Sequence, residues 1–494
     1  MILLPVTVYI LIVFLLSAFF TSKALVSYSE YSYCGRSLTI VFVFFTYLGT
    51  WIGGGTIVGL AEKSYINGAS QYWMFGISCV SGILFVLFFN RKIRRLQVTG
   101  VAEMLALRFP EYGGAVRIPA AIAQFIRNVT VIGMNFVAMA YMLSYFTGID
   151  YKLAALITLS IVVFYTALSG LWGVVVTDLL QGFLQTLSLL ILIIYVIRCC
   201  GSISSVESYY ASIGKESALS LFGYGQTSHA VVALILSVGL FFLMGDSSDW
   251  ERIYSCKTDK TAFWGYLIPL TITLLLLLFP TYVGVFLKSI MPDFNASFII
   301  YYFVSHKMPR WASTTILLGL LSSVLSTADS FMMSSGVIIS NDIIKKFLSP
   351  GASDRELIFW TRISVILTGT FGFAFALNFV DIMTLWITGV GVASIILLPE
   401  YFAAWFSKRM NTTGALTGMW LGFAYCIILL VTGNITSVYF LILGILMNFF
   451  ISMAVSLFTA RPDTAVVRRT WYWDEYESNY VKKEGNNGPS DFDC

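Results

Sequence analysis

Charge is what this sequence has least of. Only 11% of its 494 residues are Asp, Glu, Lys or Arg, where an ordinary soluble chain carries about 25%. That scarcity excludes a globular protein with a fully solvated surface. The net charge of +4 is too small to mark a nucleic-acid binder and fits a basic bias in a few loops. Histidine is nearly missing: His229 and His306 are the two present, so imidazole acid–base or metal chemistry has little material. The seven cysteines (Cys34, Cys79, Cys199, Cys200, Cys256, Cys426, Cys494) show no C-x-x-C and no Cys/His ligand spacing, which excludes a disulfide framework or a zinc site. No Lys or Arg precedes the first apolar run at 4–22. That run therefore reads as a retained helix and not as a secretory signal peptide.

What is present is apolar length. Hydrophobic residues make up 58% of the chain, in runs of roughly 20 that suit bilayer crossing as helices. The expected fold is an all-α multi-span membrane protein with about 13 transmembrane helices. The spans fall at 4–22, 38–61, 68–89, 116–147, 152–171, 174–198, 228–248, 262–287, 312–340, 357–377, 379–405, 413–432 and 436–459. One set of loops is the more basic, with Arg91 to Arg95, Lys257, Lys260, Lys345, Lys346, Lys408 and Arg409. The excess of base marks the cytoplasmic side, which puts the N-terminus outside and the C-terminus inside. The polar tail 461–494 is expected to be mostly disordered.

Against that background the polar interruptions stand out. Residues 320–342, LLSSVLSTADSFMMSSGVIISND, carry eight serines and threonines and Asp329. At helical spacing Ser323, Ser326, Thr327, Ser330 and Ser334 share one stripe. Hydroxyls alone serve close helix packing and back-bonding. A mid-membrane carboxylate costs roughly 2.5–3.5 kcal/mol on insertion scales and marks an ion or proton path by default. Hydroxyl, carbonyl and carboxylate oxygens together suit an alkali cation. Residues 48–62, LGTWIGGGTIVGLAE, carry five glycines. They read either as a close-packing face or as an unwound stretch lining a binding site.

Three further places carry polar groups. Thr177, Asp178 and Gln181 interrupt an apolar helix start after Gly170 and Gly173. Asp178 either faces water at a helix N-terminus or belongs to an ion path. An apolar span breaks at Gly245 into Asp246 and then Glu251-Arg252, with Arg252 read as an interfacial salt-bridge partner. Arg127 lies well inside the long third core span, where a guanidinium needs a carboxylate from substrate or from another helix.

These stretches resemble the sodium/solute symporter family. The similarity rests on T-W-I-G-G-G-T-I-V-G at 50–59, on Gly170-Leu171 through Thr177-Asp178 to Gln181, on Glu251-Arg252, and on S-T-A-D-S at 326–330 with Asn341-Asp342 beyond. ASDRE at 352 and NTTGALTG at 411 look most like the high-affinity choline transporter branch. The resemblance implies a LeuT-type fold of five-plus-five inverted repeats. The divisions are a leading helix and loop (1–37), a first repeat (38–198), an extracellular loop (199–227), a second repeat (228–405), two trailing helices (406–460) and the tail (461–494). It implies a principal sodium site at Gly49, Ile52, Ser323, Ser326 and Thr327, and in some members a second one matching Asp178, Ser326, Asp329 and Ser330. Trp51 matches an aromatic of the choline branch. Arg127 and Asp246 stand where that branch has aromatics, and an arginine in this helix is similar to sialic-acid-transporting relatives.

The resulting expectation is a sodium-coupled importer of a small organic solute, carboxylate-bearing or zwitterionic, in a cell membrane. Trp51, Gly53, Gly54, Gly55, Arg127 and Asp246 are its substrate contacts. Sodium is the ion, a small solute and the lipid bilayer are the partners, and no obligate protein or nucleic-acid partner is expected. A proton-coupled symporter or uniporter of the same fold, with Asp329 as the acid, stays open, as does a transporter-like sensor. An enzyme is not expected, since no His pair, metal cluster or activated nucleophile is present.

Overall fold

The computed structural model describes residues 3–223, 235–379 and 381–471. Among them lie ten helices long and apolar enough to cross a bilayer, plus one bent pair that forms an eleventh span. The first is α1 (Leu3–Ala24). The bent pair joins α2 (Ile40–Trp51) through a wide turn at Gly55–Gly59 to α3 (Leu60–Asn67), the arms meeting at 45°. Then come α4 (Trp73–Leu96), α5 (Arg117–Thr147) and α6 (Tyr151–Cys200). At 50 residues, α6 is long enough for the two spans expected over 152–198. It is interrupted where Gly170 takes φ 56° and ψ −150°. The two spans expected over 152–171 and 174–198 are thus one helix kinked at a single residue.

The span expected over 228–248 begins outside the described residues. Its visible end runs through a helical stretch to Phe242 and stops at Gly245, whose φ is 76°. The chain restarts as α7 (Ser247–Ser255), capped reciprocally by Asp246 and Asp249. A Cβ at position 245 would meet the Phe85 ring at 2.6 Å, so both the backbone angle and the packing demand glycine there. The remaining helices are α8 (Asp259–Leu276), α9 (Leu278–Ile290), α10 (Arg310–Ile338), α11 (Asp354–Asn378), α12 (Ile382–Phe406), α13 (Thr412–Val431) and α14 (Val438–Phe458).

Burial sorts these helices by role. The span containing α10 has 94% of its most apolar window buried, against 17% for α1. Hydroxyl-rich α10 is therefore the central post, and the mostly apolar α1 is a largely lipid-facing wall. α10 packs on α6, α5, α11 and α2. This places its polar stripe against the break in α2 and the kinked α6. The tail differs from the expected disorder near its start: Thr464–Thr470 is helical and docks through Thr470 Oγ1 on the Ala404 carbonyl at 2.8 Å.

Candidate functional site

α2 ends because Ile52 leaves helical geometry at φ −97° and ψ 66°. The stripe of α10 faces that break. Ser323 Oγ donates to the Ile52 carbonyl at 2.6 Å. Thr327 Oγ1 faces three carbonyls at once, those of Gly49 (3.5 Å), Thr50 (3.2 Å) and Ser323 (3.0 Å). One hydroxyl hydrogen cannot serve three acceptors, so the cluster holds more oxygen lone pairs than hydrogens. Ser326 Oγ donates to Asp178 Oδ1. Gly49 permits the meeting, since a Cβ there would collide with Ser326 Oγ and stand 3.2 Å from Asp178 Oδ1. Gly49, Ile52, Ser323, Ser326 and Thr327 are thus brought together, all buried.

The four residues matched to a second ion do not converge in the same way. Asp178 is fully buried and not at a watery helix end; its Oδ2 accepts from Thr46 Oγ1 at 2.5 Å. Asp329 turns aside, its Oδ2 accepting from Tyr165 at 2.7 Å and its Oδ1 without a partner among the described residues. Ser330 is taken by Thr50 Oγ1 (2.9 Å) and by the Arg252 guanidinium (2.6 Å).

Arg252 corrects the sequence reading. It is not interfacial but 1% exposed, and no carboxylate lies within ion-pair distance among the described residues. It donates to Thr46 and Thr50 hydroxyls at 3.0 Å each and to the Ser248 carbonyl at 3.2 Å. Thr46 therefore joins a cation to Asp178. The signal that could have found this is the Thr46/Thr50 pair, one turn apart on α2.

Beside the oxygen cluster lies a cavity lined by Thr50, Trp51, Arg127, Asp246 and Thr327, with aromatic walls that include Phe242 and Trp386. Trp51 and Phe242 rings lie 5.2 Å apart, and Phe75 and Trp386 4.7 Å apart. Trp51, Arg127 and Asp246 thus reach the cavity. Gly53, Gly54 and Gly55 do not line it; they pack against Thr327, Val324 and Met134 side chains. Arg127 and Asp246 pair with each other at 2.8 Å, both nearly fully buried. Arg127 Nε and Nη1 keep no hydrogen-bond partner among the described residues. The guanidinium is held between the Phe241 and Phe331 rings at 5.7 and 5.4 Å. Ser248 and Asp249, which the sequence reading missed, also line the cavity.

Known proteins resemble this chain over most of its length. A high-affinity choline transporter of Caenorhabditis elegans is 24% identical over 424 residues, covering 81% of this chain and 71% of that protein. The osmoregulated proline transporter OpuE of Bacillus subtilis is 22% identical over 475 residues, covering 92% and 95%. A solved Na+-coupled sialic acid symporter, in a substrate-bound outward-open state, superposes with a TM-score of 0.80 at 17% identity, covering 94% of this chain and 98% of that one. That likeness assigns the LeuT-type all-helical fold. The profile of the Sodium:solute symporter family matches residues 31–422, and the chain belongs to that family, a multi-pass membrane protein and a transporter in place of an enzyme.

Proposed function

We propose that the chain is a sodium-coupled symporter importing a small zwitterionic solute by alternating access, with the N-terminus outside and the C-terminus cytoplasmic. The observation that carries the reading is that Thr50 and Thr327 belong to both places. Each lines the cavity, and their oxygens stand in the cluster at the α2 break. An alkali cation held by Gly49 and Ile52 carbonyls and by Ser323, Ser326 and Thr327 hydroxyls would pin α10 to the break and so set the cavity wall. Linkage then makes solute raise sodium affinity by the same factor that sodium raises solute affinity. The repeats 38–198 and 228–405 are the bodies that move about this junction. One sodium ion is the proposed stoichiometry. Arg252 already supplies a positive charge beside Thr46, Thr50 and Ser330, and Asp329 points to Tyr165.

The substrate class follows from unmet chemistry. Arg127 has two donor nitrogens free to meet a carboxylate. Asp246 is engaged by Arg127, so the ammonium end falls to Asp249, whose Oδ1 has no partner among the described residues, and to the aromatic faces of Trp51, Phe242 and Trp386. The test is uptake into proteoliposomes of labelled zwitterions, simple carboxylates and simple amines, with and without an inward sodium gradient. Zwitterion accumulation that needs sodium and is lost in Arg127→Ala supports the reading. Sodium-independent uptake, or a preference for amines that Arg127→Ala leaves intact, overturns it.

A further inference from the structure

Further along α10, beyond the ion cluster, a second buried network is short of one hydrogen. Ser334 Oγ stands 2.8 Å from Ser247 Oγ and 2.8 Å from Glu251 Oε1. Ser247 Oγ stands 3.1 Å from Asn128 Oδ1. The amide orientation is fixed from its other end. Ser335 gives its hydrogen to the Phe331 carbonyl at 2.9 Å and therefore accepts from Asn128 Nδ2 at 3.1 Å, turning the amide oxygen toward Ser247. Asn128, Ser247, Glu251, Ser334 and Ser335 are all at most 3% exposed.

Three contacts join Glu251, Ser334, Ser247 and Asn128. A carboxylate and an amide oxygen bring no hydrogen, and the two hydroxyls bring one each. An ionised Glu251 leaves one contact with two oxygens face to face and nothing between them. A hydrogen on Glu251 Oε1 completes a one-way chain, from Glu251 to Ser334 to Ser247 to Asn128. The surroundings agree. The Arg252 guanidinium points away, to Thr46, Thr50 and Ser330. Asp342, at the far end of the same span as α10, pairs with Arg117 at 3.2 Å, and Asp246 with Arg127. Tyr28 and Tyr33, at the two ends of a short helix (Tyr28–Tyr33) packed against α7, are buried phenols whose hydroxyls have no partner among the described residues. Glu251 has no cation within ion-pair distance among those residues, and its Oε2 has no partner either. A charge buried in that state is costly.

We propose that Glu251 is a proton-binding site, occupied in this conformation, whose proton ties α7 to α10 and leaves when the two helices separate. This goes beyond sodium coupling and does not depend on it. Neutral Glu251 belongs to the packed arrangement, so its contribution to stability is present at low pH and is lost as pH rises.

The test is infrared difference spectroscopy of the purified full chain in lipid, wild type against Glu251→Gln, across pH and in heavy water. A protonated-carboxyl band present near neutrality in the difference, shifted by deuterium and lost at alkaline pH, supports the site. Its absence from the difference at every pH where the protein is folded overturns it. The Gln amide can donate to Ser334 without titrating, so Glu251→Gln is expected to fold and to flatten the alkaline loss of Tm; a profile identical to wild type counts against the site. Should Glu251→Gln not fold, Ser334→Ala removes the acceptor of that hydrogen and leaves the carboxyl. An ionised Glu251 then also lacks the hydroxyl that could donate to it, so the band persists to higher pH, and an unmoved band overturns the proposal. Neither readout needs sodium or solute, so the result stands apart from any uptake measurement.

Discussion

Two buried polar regions of this molecule invite comparison: the stripe of α10, and a patch between α12 and α14 built on Glu400. Glu400 accepts from Ser452 Oγ at 3.0 Å and from Asn448 Nδ2 at 3.2 Å, and Asn448 also donates to the Ile395 carbonyl at 2.7 Å. Every side-chain polar atom of these three has a neighbour at hydrogen-bond distance, although the single Ser452 hydrogen faces both Glu400 Oε1 and, at 2.9 Å, Asn448 Oδ1, and both helices run on unbroken past them. Opposite the α10 stripe, by contrast, α2 is unwound at Ile52, and α7 enters from the break at Gly245. There Arg127 Nε and Nη1, Asp329 Oδ1, Glu251 Oε2 and the Gln181 amide are left without partners among the described residues. Polar residues inside a membrane helix serve either to pin helices or to bind. What separates the two is unwound backbone opposite them and atoms left unmatched.

The sharpest way to break the contrast is at Gly49. Gly49→Ala should abolish sodium-dependent uptake in proteoliposomes, because the added methyl drives Ser326 and Asp178 out of the cluster. Next, Arg127→Ala should raise the solute concentration for half-maximal uptake by roughly 10- to 100-fold, the worth of a charged hydrogen bond. Glu400→Gln should leave uptake kinetics unchanged and cost no more than about 1 kcal/mol in thermal or denaturant unfolding. A strong transport defect there would erase the distinction between the two regions.

The smallest effect concerns an ion pair outside both regions, Lys63 on α3 to Asp381 before α12, at 2.9 Å. Burial works to raise the Asp381 carboxyl, yet the bonds from Lys63 and the Thr384 amide outweigh it and hold it below its usual value. Its contribution is present above the unfolded carboxylate range and fades as pH falls through the lowered one. Asp381 is partly exposed, so Asp381→Asn should cost only about 0.2–1 kcal/mol. It should also blunt the acid side of a Tm-against-pH profile.

Much of the architecture was legible in the sequence because it follows from short-range rules. Apolar length located the spans, of which eleven and not thirteen stand among the described residues; the glycine run allowed a break in α2 as one of two readings, and helical spacing put Ser323, Ser326 and Thr327 on one stripe. What the sequence hid depends on which distant side chains meet. Arg252 follows an acidic stretch at a span end and looked interfacial; only the fold shows Thr46, Thr50 and Ser330 arranged to receive it. Arg127 and Asp246 were read as two hands for one substrate, whereas they hold each other. Glu251 carries no local mark, since its partners Ser334, Ser247 and Asn128 come from three helices. The start of the span over 228–248 and the tail beyond 471 lie outside the described residues.

The central claim is that Gly49, Ile52, Ser323, Ser326 and Thr327 hold sodium, and equilibrium binding of radiolabelled sodium to the purified chain tests it most directly. Saturable binding of one ion per chain, not displaced by potassium and lost in Ser326→Ala/Thr327→Ala, is the predicted result. No saturable binding in the wild type, or binding that the double variant leaves intact, would contradict it.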